Sequence, residues 1–167
     1  MNFVIHKAHI ADILAIAKMH KKSFVAAYTG LLAKKFLAKI TEAGFVERWT
    51  QRFKKHKVQT YIAENNNKVI GLIAFTFSPQ KTVGEINLLY VDPGHWHEGI
   101  GKKLMLFVVD IMKKYKVKKI HIWVLKKNHK SRLFYESLGA YTKGAERLVV
   151  KNHLAMREVG YWLKVNY

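Results

Sequence analysis

The chain has 167 residues, 50% of them hydrophobic and 25% charged, a size and balance suited to one domain spanning residues 1–167 with a full core. It carries 30 Lys and Arg against 11 Asp and Glu, a formal charge of +19, which attracts polyanions and disfavours a polyamine substrate. There is no cysteine, so disulfides and thiolate chemistry are excluded, and no apolar run approaches the length that spans a bilayer.

Phe3 to Lys7 predicts a first strand, and Lys7, His9 and Asp12 break any secretory core, so a cytoplasmic protein is expected. Ile10 to Phe24 predicts a helix with Ile13, Leu14, Ala17 and Met19 turned inward. The stretch from Ser23 to Leu32 leads into a short helix around Lys34 to Ile40, after which Phe45, Val46, Trp49 and Phe53 recur at helical spacing. Gln59 to Glu64 and Val69 to Phe77 flank Asn65-Asn66-Asn67-Lys68, which is turn chemistry and predicts a hairpin. Gly84 to Val91 is the next strand. Beyond Gly101, the residues Leu104, Met105, Val108, Ile111, Met112 and Tyr115 line one helical face. Lys118 to Leu125 then completes a strand-helix-strand unit, whose strands should run parallel with a right-handed crossover. Asn128 is a good N-cap for a helix with an apolar stripe of Leu133, Phe134 and Leu138, and Gly139 a natural C-terminus. Tyr141 to Val150 and Ala155 to Val165 close the chain as two strands.

The run Leu89-Tyr90-Val91-Asp92-Pro93-Gly94-His95-Trp96-His97-Glu98-Gly99-Ile100-Gly101-Lys102-Lys103-Leu104 joins an apolar strand to an amphipathic helix through a glycine-punctuated turn. Such a turn suits phosphate, because a helix N-terminus leaves N–H groups without intrahelical partners and the glycines let an anion approach. A dinucleotide fingerprint would need a small residue at Leu104. A P-loop would need Lys and Ser or Thr where Ile100 and Gly101 stand, so neither motif is present.

The frame of Val91, Pro93, Gly99 and Gly101 resembles the acetyl-CoA loop of the GNAT superfamily of N-acetyltransferases, V-x-P followed by [QR]-x-x-G-x-[GA]. Asn128-His129-Lys130-Ser131-Arg132-Leu133-Phe134-Tyr135-Glu136-Ser137-Leu138-Gly139-Ala140 is similar to the family segment N-x-x-[SA]-x-x-[FL]-Y-x-x-x-G-F. Trp96 departs from the usual Gln or Arg, His97 stands where a further glycine is common, and Ala140 replaces an aromatic. The resemblance implies an α/β protein of the GNAT fold. Its central twisted sheet would be mixed and mostly antiparallel, with about seven strands, a parallel central pair and four to five flanking helices.

It also implies acetyl-CoA as cofactor and direct acetyl transfer to a primary amine of a small molecule, peptide or protein. Such transfer needs a neutral amine, a stabilised oxyanion and a proton for the leaving thiolate. In relatives the two parallel strands splay apart around pantetheine. Backbone N–H groups of the first strand, here Leu89, Tyr90 and Val91, bind the cofactor. The turn Trp96, His97, Glu98, Gly99, Ile100, Gly101 and Lys102 would hold its pyrophosphate, with Asn128 and Ser131 as further contacts. Tyr135 matches the family's general acid; a tyrosine beside Phe134 also suits a core position. Glu85 is the candidate base, with a merely solvated carboxylate as the alternative.

His95 and His97 lack metal-ligand spacing with any third group, so no metal is expected. His97 is a surface histidine or an aid to anion binding, and His121 reads as strand surface. The acceptor side would be shaped by the region Phe24 to Leu32 and by residues near Lys151 to Leu154, with Tyr28 and Trp49 either walling a pocket or filling the core. Lysine runs fall at 54–57, 113–119 and 126–130. A solvated lysine-rich surface is preferred over nucleic acid or the ribosome as their explanation. The rival reading is a catalytically silent CoA-binding or nucleic-acid-associated module on the same fold. A homodimer stays open.

Overall fold

The computed structural model describes residues 2–55, 57–151 and 154–166. Seven strands form one sheet: β1 (Val4–Lys7), β2 (Gln59–Asn65), β3 (Lys68–Phe77), β4 (Val83–Val91), β5 (Lys119–Leu125), β6 (Tyr141–Lys151) and β7 (Leu154–Lys164). The spatial order is β1-β2-β3-β4-β5-β7-β6. The helices are α1 (Ile13–Tyr28), α2 (Lys34–Ala38), α3 (Glu42–Lys54), α4 (Ile100–Lys114) and α5 (His129–Ser137). The β4–β5 pair is parallel, whereas β1–β2, β2–β3, β5–β7 and β6–β7 are antiparallel. No helix among the described residues is long and apolar enough to cross a membrane.

The chain divides into two compact units, Met1–Thr76 with Leu88–Val108, and Phe77–Asn87 with Val109–Tyr167. In the first, Ile16, Ala17, Phe45, Trp49, Ile62 and Leu72 form the core. The buried face of α1 runs through Ile13, Ile16, Ala17 and His20, the i, i+3, i+4, i+7 stripe. Leu14 falls beside that stripe and is 68% exposed, so its expected inward orientation is wrong. The helix also continues four residues past Phe24, to Tyr28, where Thr29 caps it. Trp49 is core, 2% exposed, with its indole N–H given to His20, so it does not wall a pocket.

In the second unit the parallel ladder pairs Val83, Gly84, Glu85 and Ile86 with Lys119, Ile120, His121 and Ile122. It ends there, although β4 runs to Val91 and β5 to Leu125. Two expected apolar positions face solvent. Leu133 is 65% exposed because it lies about 200° around α5 from the buried Tyr135. Tyr115, 50% exposed, lies just past the end of α4 and packs its ring on Phe77 at 5.0 Å. Asn152 and His153, inside the expected acceptor loop, lie outside the described residues.

Close packing of α4 on β3 in the first unit depends on Gly71. A Cβ there would lie 3.1 Å from both Ile100 Cγ2 and Leu104 Cδ1, side chains that are themselves fully buried. Gly71→Val should therefore destabilise the protein by about 1–3 kcal/mol through overpacking, read as a lower midpoint of urea unfolding at unchanged slope.

Candidate functional site

In the first unit, the turn after β4 is held by its own side chains. Asp92 accepts from Gly94 N at 2.8 Å through Oδ1, and Lys22 Nζ donates to both its carboxylate oxygens at 2.8 and 2.9 Å. Partial burial works to raise the Asp92 pKa; the Lys22 hydrogen bond, the Gly94 N–H and the neighbouring cations outweigh it, and the net shift is downward. Trp96 folds back so that its indole N–H donates to the Val91 carbonyl at 2.8 Å. The departure from the family pattern is thus a brace across the turn. His95 Nδ1 lies 3.1 Å from Glu98 Oε2.

His97 has φ +65° and Gly99 φ +79°, two left-handed residues on either side of Glu98. The first sits where relatives often carry glycine, and this conformation is the reason glycine suits the position. Nothing lies within 4 Å of a Cβ built on Gly99, so the space over it is open. Lys103 N donates to Gly99 O at 3.0 Å, the first helical bond of α4. The N–H groups of Ile100, Gly101 and Lys102 therefore have no intrahelical acceptor. The side chain of Ile100 is core, 1% exposed, so this residue can offer a ligand only its backbone. Lys102 and Lys103 are exposed beside it. Upstream, the Tyr90 ring packs at 4.3 Å between centroids against His20, while Leu89 and Val91 are half-buried.

His20 is a buried group that the sequence did not single out. Its Nδ1 accepts from Trp49 Nε1 at 3.2 Å, so the ring proton sits on Nε2. Burial, then the nearby Arg52 and Arg48, lower its pKa to about 3, and the imidazole is neutral at ordinary pH.

The second unit holds the other expected residues. Asn128 is 7% exposed and caps α5, its Oδ1 accepting from Ser131 N at 3.1 Å, which leaves the Nδ2 hydrogens as donors. Tyr135 is 8% exposed. The helix bearing it ends in a Schellman motif: Ala140 N donates to Tyr135 O, Gly139 N donates to Glu136 O, and Gly139 has φ +87°. The sequence reading missed Tyr161 on β7. Its hydroxyl donates to Glu136 Oε1 at 2.5 Å and accepts from Arg132 Nε at 2.9 Å, while Arg132 reaches the Lys126 carbonyl at 3.4 Å. Burial, then the bond to Glu136, raise the Tyr161 pKa. Two residues of α5 and the strand end before Asn128 are thereby tied to one buried phenol. Alternation along β7 signals a buried Tyr161, but no local pattern pairs it with residues 25 and 29 positions earlier.

Glu85 is half-buried on β4 and is the register partner of His121 on β5. Asn87 Nδ2 lies 3.4 Å from its Oε1, and Asn87 Oδ1 is buried with no hydrogen-bond partner among the described residues. His121 is half-buried between Trp162, 4.4 Å away, and Trp123, 4.8 Å away, where burial lowers its pKa in spite of Glu85. It is more enclosed than a strand-surface histidine.

A family model described as "Acetyltransferase (GNAT) family" matches residues 21–140. An uncharacterized N-acetyltransferase of Archaeoglobus fulgidus is 35% identical over 81 residues, 46% of this chain, and the match spans about half (55%) of that relative's length. The spermidine N(1)-acetyltransferase of Thermoplasma acidophilum is 24% identical over 151 residues, 83% of this chain and 88% of its own. Among solved structures, the PaiA N-acetyltransferase of Thermoplasma acidophilum in complex with coenzyme A superposes with a TM-score of 0.78 at 20% identity, covering 98% of this chain and 99% of that one.

Two measurements follow from these groups. His20 binds a proton far more readily unfolded, near its ordinary pKa of 6.5, than folded. Its contribution is complete above pH 6.5 and declines as pH falls toward 3, by up to about 1.4 kcal/mol per pH unit. Chemical denaturation between pH 7 and 5 should show this slope, and His20→Gln should flatten it, leaving the residue from His121, whose shift has the same sign. Tyr161→Phe should cost about 1–3 kcal/mol in stability, because Glu136 and Arg132 lose their shared partner.

Proposed function

Since the chain belongs to the acetyltransferase (GNAT) family and is therefore an acyltransferase, we propose that it transfers an acetyl group from acetyl-CoA directly to a primary amine of a small molecule, peptide or protein, as one N-acetyltransferase domain in the cytoplasm. The single observation that carries this reading is the family match over residues 21–140, which includes both the glycine turn and the Asn128–Ala140 segment.

The residues present fit the cofactor. The turn offers the N–H groups of Ile100, Gly101 and Lys102, the open space above Gly99 and the exposed Lys102, a set of donors that suits a pyrophosphate. Trp96, His97 and Glu98 shape that turn, and backbone groups of Leu89, Tyr90 and Val91 together with Asn128 and Ser131 take the rest. Acetyl-CoA, when bound, supplies the activated acetyl group. Glu85 takes a proton from the substrate ammonium, directly or through water, so that nitrogen presents its lone pair. As the N–C bond formed and the C–S bond broke, the Tyr135 hydroxyl would give its proton to the leaving sulfur, and the second proton released by the nitrogen as it becomes an amide would return, directly or through water, to the Tyr135 oxygen. No cysteine exists to carry the acetyl group in between.

Trp96 is the departure that favours a silent module, and its bond to Val91 supports a shaped, functional turn instead. The Thermoplasma relative is named for spermidine. The charge of +19 weighs against a polyamine here, while the half-buried carboxylate of Glu85, register partner of His121, is the kind of local group that accepts an ammonium. The acceptor is accordingly proposed only as a primary amine.

An acetyl-CoA panel of spermidine, small amines, antibiotics, free peptide N-termini and lysine-bearing proteins, with detection of released thiol, tests the reading. Turnover of at least one acceptor is expected; CoA binding with no turnover of any of them would favour the silent module. Tyr135→Phe and Glu85→Gln should each lower kcat about 10²-fold or more while acetyl-CoA binding by calorimetry is kept. An unchanged kcat in either variant removes that residue from the mechanism.

A further inference from the structure

The second unit gathers lysines from four separate segments at one end. Lys81 lies in the turn before β4, Lys113, Lys114 and Lys116 at the C-terminal end of α4, Lys118 and Lys119 at the start of β5, and Lys164 at the end of β7. Backbone hydrogen bonds bind these segments together: Lys118 N donates to Thr82 O at 3.1 Å, Val165 N to Lys118 O at 3.1 Å, and Lys119 pairs with Lys164 in the ladder. Asp110 is the nearby acid, 3.6 Å from Lys113; the other six lysines have no carboxylate at ion-pair distance among the described residues. Lys22, Lys126, Arg147 and Arg157 meet carboxylates elsewhere, whereas exposed lysines such as Lys34, Lys35, Lys39 and Lys68 have none at ion-pair distance among the described residues; what sets this end apart is that seven lysines from four segments converge on it.

Aromatic surface accompanies this charge. The Lys81 ammonium stands 5.2 Å from the centroid of the half-exposed Tyr115. An open recess of about 510 Å³, lined by Tyr141, Leu163, Lys164 and Asn166 among others, lies at the same end of β7. Asn128 follows the other end of β5, a seven-residue strand and so about 23 Å away. Ligand held by the lysines therefore leaves the Asn128 end of the unit clear.

We propose that this lysine-rich end of the second unit is a docking surface for single-stranded nucleic acid, bound through its phosphates and by bases stacked on Tyr115 and Tyr141. Ammonium groups with no carboxylate partner among the described residues, on a strand and a helix terminus, neutralise successive phosphates, and exposed rings stack on bases without sequence preference. Flexible lysines in place of a bidentate arginine fork fit the point-charge recognition of a backbone.

Fluorescence anisotropy with labelled 20-mers of U and of dT, a duplex and polyglutamate tests this, with two variants of equal net charge. K114Q/K116Q/K118Q/K164Q removes four lysines of the surface; K34Q/K35Q/K39Q/K68Q removes four exposed lysines of the first unit. The first should weaken single-strand binding at least ten-fold near 0.15 M salt and make the logarithmic salt dependence shallower by about 3, at roughly 0.7 per phosphate contact. The second should change affinity less than about two-fold. Tyr141→Ala should weaken binding about five-fold at unchanged salt slope, and acetyl-CoA binding should be retained in all three. Equal weakening by both quadruple variants would mean that only overall charge acts, and would overturn the proposal. So would polyglutamate binding as tightly as the single strands, which would assign the surface to an acidic protein, or a clear preference for the duplex.

Discussion

Two strands that run parallel cannot be closed by a hairpin, and the four-pair ladder of β4 and β5 imposes this constraint on the middle of the chain. The connection must cross over, and α4 is that crossover. A helix that follows directly on a strand turns its N-terminus, with unpaired N–H groups and a positive dipole end, toward the place where the strand stops. The phosphate-binding role proposed for the turn thus rests on a geometry that parallel pairing imposes. What the residues between Val91 and Ile100 add is control of that geometry. Asp92 fixes the first bend, Trp96 ties it to β4, and the left-handed His97 and Gly99 bring the chain round into the helix.

Features encoded by near neighbours were legible in the letters. The Asn65-to-Lys68 hairpin, the α4 stripe of Leu104, Met105, Val108 and Met112, the Asn128 cap and the Gly139 terminus each depend on residues within one or two turns, and each is present. The order of elements then led to the sheet. Errors arose where a choice between neighbouring positions is made by a distant partner. Leu14 and Leu133 are as apolar as residues that are buried, and only the packing of α1 and α5 decides which side faces inward. Trp49 could be read as wall or core until its indole met His20 from α1.

The same reasoning explains what was missed at the site. By residue type alone Trp96 is only a departure from the family's Gln or Arg; its bond to the Val91 carbonyl across the turn has no signature in the sequence. Tyr161 sits outside both motifs, yet it organises α5 through Arg132 and Glu136. Glu136 is exposed, and its carboxylate still accepts the phenol's hydrogen. A pairing 25 residues apart leaves no periodic trace, so a helix that carries motif residues can be predicted while the contact that orients it cannot.

Scarcity of acids sharpens the reading of Glu85. In a chain with 11 Asp and Glu against 30 Lys and Arg, several carboxylates are drawn into pairs. Asp92 meets Lys22, Glu98 meets His95, Asp110 meets Lys113, Glu146 meets Lys126 and Arg157, and Glu158 meets Arg147. A carboxylate held by a cation is a poor base, because the partner stabilises its charged form. Glu85 is half-buried and among the described residues has only a long contact to an Asn87 amide, with a neutral-leaning His121 as its register partner. No fixed ammonium therefore occupies its oxygens as Lys22 occupies those of Asp92. Where so many lysines compete for so few acids, a semi-enclosed carboxylate outside every ion pair among the described residues is the one that fits the proposed role of receiving an ammonium.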